Sequence, residues 1–294
     1  RLNTIMKVNI LKRFFMISLV LVFMLSCLPV QAYADEKLML FCGAALKRPM
    51  DEIVMVFEKT TDIKVDVVYG AVGTLLAQME FIKRGDIFVS PSEDMMAKAK
   101  KKGLVVNKTL KNIVYFVPCI NVQKGNPKNI KGLKDLTREG IKIAIANPEF
   151  VYIGMLATEI IDKNLNDREK ADFKKNLITH AEDFNKLAMF VALKQIDAII
   201  GFHFLEGWYP DKIENVKLDA KQLSRIGAAQ AGIVNFSKSN AVAQKFLDFL
   251  HSEKTRSIFK KYHYFSSPEE AFQWLGGRKI IGGEYPVAND WIHK

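Results

Sequence analysis

The sequence predicts an α/β protein built as two lobes joined by two crossover strands, and three observations carry that expectation. Segments with strand periodicity alternate with segments of helical periodicity along the chain, the pattern of parallel sheets covered by helices. Three strand patterns run into small-residue turns that open straight into helices, around residues 42–45, 70–73 and 147–154. The chain also changes character near residues 118–125 and 215–235, where it would pass from one lobe to the other. The expected division is a signal peptide at 1–34, a first lobe from 35–118 and 222–294, and a second lobe from 119–221. A chain of 294 residues is long enough to build two such cores.

The first 34 residues carry Arg1, Lys7, Lys12 and Arg13, then an apolar run at 14–26 (FFMISLVLVFMLS), then Pro29 and Ala32-Tyr33-Ala34 before Asp35. That order of basic, apolar and small-residue regions is a secretory signal peptide, and the run is shorter than the roughly 20 residues of a membrane span. Met6 is the expected start, which makes residues 1–5 upstream read-through. Leu25-Ser26-Cys27 resembles a lipobox, with Met24 unusual in it, so a lipid anchor through Cys27 is the alternative to a soluble exported form.

Removing this segment takes away four basic and no acidic side chains and lowers the formal net charge from +11 to +7. The remaining basic residues are mixed with acids and form no arginine-rich arm, which argues against nucleic acid. A diffuse positive charge would help steer small anions. Cys42 and Cys119 remain, without a C-x-x-C motif or a histidine cluster at metal-ligand spacing. Each lies beside an apolar strand pattern, so two buried free thiols are expected, with a disulfide in an oxidising compartment as the alternative.

Taken in order, residues 37–41 (KLMLF) read as a strand, followed by a helix with Met50, Ile53, Val54 and Phe57 on one face. Residues 65–90 (VDVVYGAVGTLLAQMEFIKRGDIFVS) read as strand, turn, helix and strand. Val65, Val67 and Tyr69 alternate, Gly70-Ala71-Val72-Gly73 breaks the pattern, and Leu75, Leu76, Met79 and Ile82 share a helical face. A helix that opens after a glycine turn points unpaired N–H groups into the crevice at the strand end, a geometry that suits an anion. Residues 91–102 form a helix with Met95, Met96 and Ala99 inward, and 113–122 (IVYFVPCINV) a strand buried on both faces. A short helix at 129–136, a strand at 141–146 and helices at 150–162 and 167–179 follow. Asp183 is a natural N-cap for the next helix. Residues 195–201 form a buried strand, 226–236 a strand returning to the first lobe, and 240–251 and 252–262 two helices. The extension after Tyr264 has no assignable pattern.

Taken together, the chain resembles the type II periplasmic solute-binding proteins, and within them the molybdate/tungstate-binding receptors of ABC importers. The resemblance runs from Leu38 to about Tyr264. It is carried by the order and spacing of FCGAAL (41–46), YGAVGTLLAQ (69–78), GDIFVS (85–90), GNP (125–127), ANPEFVYIG (146–154), DAIIGF (197–202) and FLDFLHSEKTRSIFKK (246–261). It implies an exported, monomeric, non-enzymatic receptor that closes two lobes on a tetrahedral oxyanion and presents it to permease and ATPase subunits. Neither a cofactor nor a ligating metal is implied, and hydrogen bonds alone would hold the anion.

Carried over residue by residue, the family's two serine donors fall at Ala45 and at Val72 beside Gly73. Its two backbone donors fall at Ile153 and Phe184, and its tyrosine at Phe202. All three hydroxyl donors are therefore replaced by apolar side chains, while the backbone N–H groups remain. A hydrogen bond to a charged partner contributes roughly 1.5–3 kcal/mol, so three lost bonds amount to about three to six decades of affinity unless replaced. Candidate replacements are Arg48, Thr74, Tyr152, His203 and Cys42. Arg48 reads otherwise as a solvated helix-face residue, and His203 as a satisfied structural histidine. Phosphate, sulfate or an organic anion are the alternative ligands. A more distant alternative is an enzyme on the same architecture with Cys42 as nucleophile and His203 as its base.

Overall fold

The computed structural model describes residues 37–292, so the readings of a signal peptide, of Met6 and of Cys27 lie outside the described residues. β1 (Lys37–Gly43), β2 (Lys64–Gly70) and β3 (Ile87–Ser90) are parallel, with β1 in the middle. A 3-10 turn at Ala44–Leu46 leads from β1 into α1 (Lys47–Thr61); α2 (Val72–Ile82) follows β2, and α3 (Glu93–Lys101) follows β3. α1 buries Met50, Ile53, Val54 and Phe57, the face its spacing requires. α2 buries Val72, Leu75, Leu76 and Met79. Ile82, expected on that face, is 40% exposed because the helix stops there and Lys83 turns left-handed.

β4 (Lys111–Phe116) belongs to this first sheet, whereas β5 (Pro118–Gln123) belongs to the second. The apolar run at 113–122 is thus two strands in two sheets rather than one strand, and buried Val117 is the crossing point. The second sheet is completed by β6 (Ile143–Ala146), α4 (Tyr152–Asn164), α5 (Asp167–Asn176), β7 (Leu177–Ala181), α6 (Phe184–Ala192), β8 (Ala198–Phe202), α7 (Leu205–Trp208) and β9 (Ile213–Val216). Its strand order is β7-β6-β8-β5-β9. The chain returns through residues 217–224 to β10 (Arg225–Ile233), which pairs antiparallel with both β3 and β4. α8 (Asn240–Leu250) and α9 (Glu253–Lys261) pack on the first sheet's side, where Phe57 of α1 meets Phe246 edge-on at 4.8 Å. α10 (Pro268–Leu275), β11 (Ile280–Ile281) and α11 (Asn289–Ile292) occupy the extension that carried no pattern.

The architecture is the expected two-lobed α/β fold, with three further corrections of detail. The sheets are mixed rather than parallel, because β10 runs antiparallel to β3 and β4, and β5 antiparallel to β8 and β9. The helix read at 167–179 stops at Asn176, and the residues after it form the edge strand β7. The helix read at 129–136 is only a 3-10 turn, Leu133–Thr137, reached through left-handed Asn126 and Asn129. The N-cap expected at Asp183 is present, its carboxylate accepting the Lys186 N–H at 2.9 Å. No helix among the described residues is long and apolar enough to cross a membrane.

One glycine couples the second sheet to the helix that follows it. A Cβ on Gly154 would stand 2.4 Å from the Ala146 carbonyl oxygen at the end of β6, and neither backbone can yield cheaply. Gly154→Ala should therefore lower stability by about 1–3 kcal/mol, read as a shift of the urea midpoint, and displace the start of α4.

Candidate functional site

α1 with its 3-10 turn and α2 start at strand ends of the first sheet; α4 and α6 start at strand ends of the second. Their first turns meet around a cavity of about 20 Å³. Gly43, Ala44, Ala45, Gly70, Ala71, Val72 and Pro91 line it from one lobe. Val151, Tyr152, Ile153, Phe184 and Phe202 line it from the other. A water needs roughly 10–15 Å³, so the space in this arrangement holds about one water, and a tetrahedral oxyanion would need the lobes to part. The first N–H groups of a helix have no acceptor within the helix, and the partial positive charge there favours an anion.

No lining side chain carries a charge, and among them Tyr152 alone ends in a polar atom. Its hydroxyl donates to Glu93 Oε2 at 2.9 Å, across the lobes, and burial keeps the phenol well above its ordinary titration range. Glu93 Oε1 accepts the Ala228 N–H at 2.6 Å. Burial pushes the Glu93 carboxyl up to about 7, against the pull of these hydrogen bonds and of Arg225. Arg225 in turn bridges Asp94 of α3 at 3.0 Å and Glu159 of α4 at 2.8 Å, all three side chains being nearly wholly buried. Beneath the cavity Phe202 joins an aromatic cluster, 4.7 Å from Phe116 of the first sheet, 5.5 Å from Phe204 and 5.6 Å from Phe184.

The structure thus brings Ala45, Val72, Ile153, Phe184, Phe202 and Tyr152 around one cavity, and it places the other candidates elsewhere. The Gly73 N–H donates to the Phe150 carbonyl at 2.9 Å, so Gly73 clasps the two lobes rather than facing the cavity. A Cβ there would come within 2.9 Å of Phe150 Cα, which is why a glycine is needed. Thr74 is not on the cavity wall. Arg48 is neither a donor to the cavity nor a freely solvated cation. It donates to the Trp208 carbonyl at 2.7 Å and lies over the rings of Trp208 and Tyr209 at 4.9 and 4.3 Å.

His203 has both ring nitrogens engaged. Nδ1 accepts the Val117 N–H at 3.2 Å, and Nε2 lies 2.8 Å from the His263 carbonyl, which fixes Nε2 as the protonated nitrogen. Its ring stacks on Phe265 at 4.1 Å, and burial holds its pKa down at about 3. Cys42 and Cys119 are both buried free thiols, and burial raises both far above the ordinary thiol range. Neither the thiolate nor the base of the enzyme reading is available. Glu93, Arg225 and Pro91 escaped sequence reasoning. A first-turn glutamate looks like ordinary helix-dipole matching, and an arginine entering a strand carries no motif.

A two-lobed protein whose facing helix starts enclose a small uncharged-walled cavity is a binding protein for a small solute. Residues 38–265 match the family of bacterial extracellular solute-binding proteins, and the chain belongs to it. Its members are solute-binding proteins rather than enzymes, and they work outside the cytoplasm. The molybdate-binding protein ModA of Escherichia coli is 25% identical over 239 residues, covering 79% of this chain and 91% of that protein. The solved "substrate binding domain of putative molybdenum ABC transporter" from Clostridium difficile is 28% identical, with a TM-score of 0.59, covering 79% and 99% of the two chains. The sulfate-binding protein SubI of Mycobacterium tuberculosis shares the fold, with a TM-score of 0.70 at 16% identity over 84% of this chain and 93% of SubI.

His203 and Glu93 predict opposing pH dependences. His203, near 3 against an ordinary 6.5, supports the fold above pH 6.5 and loses that support as pH falls toward 3. Glu93, near 7 against an ordinary 4.5, supports the fold fully below pH 4.5 and loses that support as pH rises through 7. Each slope is about 1.4 kcal/mol per pH unit, and in the window where both act, roughly pH 4.5–6.5, they oppose each other. Relative to wild type, Glu93→Gln should therefore lose stability as pH falls through that window, and His203→Gln should gain it, as read from urea midpoints.

Proposed function

We propose that this protein is the receptor of an ABC importer for a small tetrahedral oxyanion, molybdate first and tungstate by the same geometry. The observation that supports this reading is the convergence of four helix starts, two from each lobe, on a cavity with no charged side chain. Such a site attracts an anion through N–H groups and excludes cations, for which it has no carboxylate. In this reading Ala45, Val72, Ile153 and Phe184 present backbone donors, and Phe202 closes the floor. The bound form is a monomer that hands its anion to a membrane permease driven by an ATPase subunit. The chain works in the periplasm, either free or held by a lipid on Cys27. The loss of the three hydroxyls favours a second reading, in which another small anion such as phosphate or sulfate is preferred.

A thermal-shift titration of the exported form against molybdate, tungstate, sulfate and phosphate separates the two. A ligand at 100 times its dissociation constant stabilises the fold by about 2.7 kcal/mol and raises the melting temperature by roughly 2–4 °C or more. Molybdate and tungstate should give the selective shift; a larger shift with sulfate or phosphate would favour the second reading. No shift with any of the four would overturn the oxyanion assignment.

Restoring hydroxyls tests the geometry directly. Ala45→Ser and Val72→Ser should each tighten molybdate binding by about tenfold to a hundredfold, the value of one hydrogen bond to a charged partner. Unchanged or weaker binding in calorimetry of both variants would show that these side chains do not face the anion.

A further inference from the structure

We propose that residues 280–292 form a strap that ties the two lobes together and sets how readily the cleft opens. The segment lies beyond the part of the chain matched to the family, which ends at residue 265. Its first half is fixed to the first lobe. Ile280 and Ile281 pair with Arg225 and Ile226 at the start of β10, and the Gly282 N–H donates to the Ile226 carbonyl at 3.0 Å. Glu284 pairs with Lys101 of α3 at 3.2 Å. Its second half is fixed to the second lobe. Trp291 is buried, donates from Nε1 to Asp162 of α4 at 3.1 Å, and meets the Phe173 ring of α5 edge-on at 6.2 Å. Asp290 pairs with Lys174 of α5 at 2.5 Å.

Tyr285 joins the halves. Its N–H donates to Asp94 Oδ1 of the first lobe at 3.0 Å, while its hydroxyl donates to Asp162 Oδ2 of the second at 2.7 Å. The bend that lets it do so needs two glycines, Gly282 at φ +67° and Gly283 at φ +113°. A Cβ on Gly282 would also come within 2.6 Å of the side chain of Glu93, whose carboxylate receives the Tyr152 hydroxyl. The strap therefore lies directly over the groups that already bridge the lobes. Arg225, which pairs with Asp94 and Glu159, also donates to the Gly283 carbonyl. Rotation of one lobe about the two crossovers must either break the Asp162 contacts or pull β11 from β10.

The proposal rests on the reading that the lobes open and close, so its test is made on the ligand-free protein. Spin labels at exposed Gln78→Cys and Glu149→Cys, one on each lobe, report the lobe separation; Cys42 and Cys119 are buried. In the otherwise wild-type exported protein the distance distribution should be short and narrow. Trp291→Ala and Tyr285→Phe should each add a longer-distance population, raising the open fraction about tenfold for every 1.4 kcal/mol of closing preference lost. If both variants melt cooperatively and keep the wild-type distribution, the strap does not control opening. If Trp291→Ala fails to fold, Tyr285→Phe decides alone, since it removes a single hydroxyl. Adding molybdate then reports separately on the ligand: failure to close any variant would count against the oxyanion reading and leave the strap result standing.

Discussion

The proposed site depends on backbone N–H groups at helix starts that have no acceptor within their own helix. Every helix leaves its first donors unpaired, and burying such donors without a partner is costly. Here Val72 of α2, Tyr152 and Ile153 of α4, Phe184 of α6, and Ala44 and Ala45 of the 3-10 turn before α1 are buried around the same small space. The lining side chains are alanine, valine, isoleucine, proline, phenylalanine and Tyr152, whose hydroxyl is engaged by Glu93, so they do not compete for those donors. In surroundings of low dielectric each N–H dipole acts more strongly than it would in solution. The same surroundings raise the cost of stripping water from an anion, so the balance turns on how many donors point inward.

That balance is tied to lobe closure through residues that serve both. Gly73 lies in the first turn of α2, and its N–H reaches the Phe150 carbonyl just before α4. Tyr152 lies in the first turn of α4, lines the cavity with its ring and holds Glu93 of α3 with its hydroxyl. Moving the lobes apart would therefore separate the helix starts and break these hydrogen bonds together. Glu93 keeps a carboxyl near neutrality in titration because it sits in that junction, where burial opposes its charge and two donors and a guanidinium favour it.

The parts of the fold legible in the sequence were those with a local cause. Periodicity identified the buried face of α1, composition identified the small-residue turns, and Asp183 announced its own cap. The passage between lobes could be placed near residue 118, but the split into two strands at Val117 was not legible, because the flanking residues form one apolar run. β7 was hidden because it follows α5 without a turn signal and pairs along one edge only. At the site, the turns could be placed from the chain, and His203 could be read as a satisfied histidine, but the partners of Arg48 and His203 could not be named. Those partners are Trp208, Tyr209, Val117 and His263, which are distant in sequence from the residues they engage. Glu93 and Arg225 were illegible for the same reason, since their roles exist only between lobes.

The packing also bears on whether a cavity without hydroxyls is a site retuned or a site decayed. A decayed site is under no constraint to stay open, and larger side chains or collapse would fill it. Here the positions that face the cavity carry alanine at 45 and phenylalanine at 202, and the space of about 20 Å³ persists beside them. Phe202 is also locked in place, with Phe116, Phe184 and Phe204 all within ring contact. A hydroxyl on that ring would have to find a partner in the cavity itself or remain buried and unpaired among aromatic neighbours. Such a group is stabilising when an acceptor oxygen is bound and destabilising when the site is empty. Replacing it by hydrogen exchanges affinity for a cleft that closes without its ligand, and the lobe-bridging contacts of Gly73, Tyr152 and Arg225 favour the same closed arrangement. On the proposed oxyanion reading, the packing of the protein would supply more of the closing preference and the anion less.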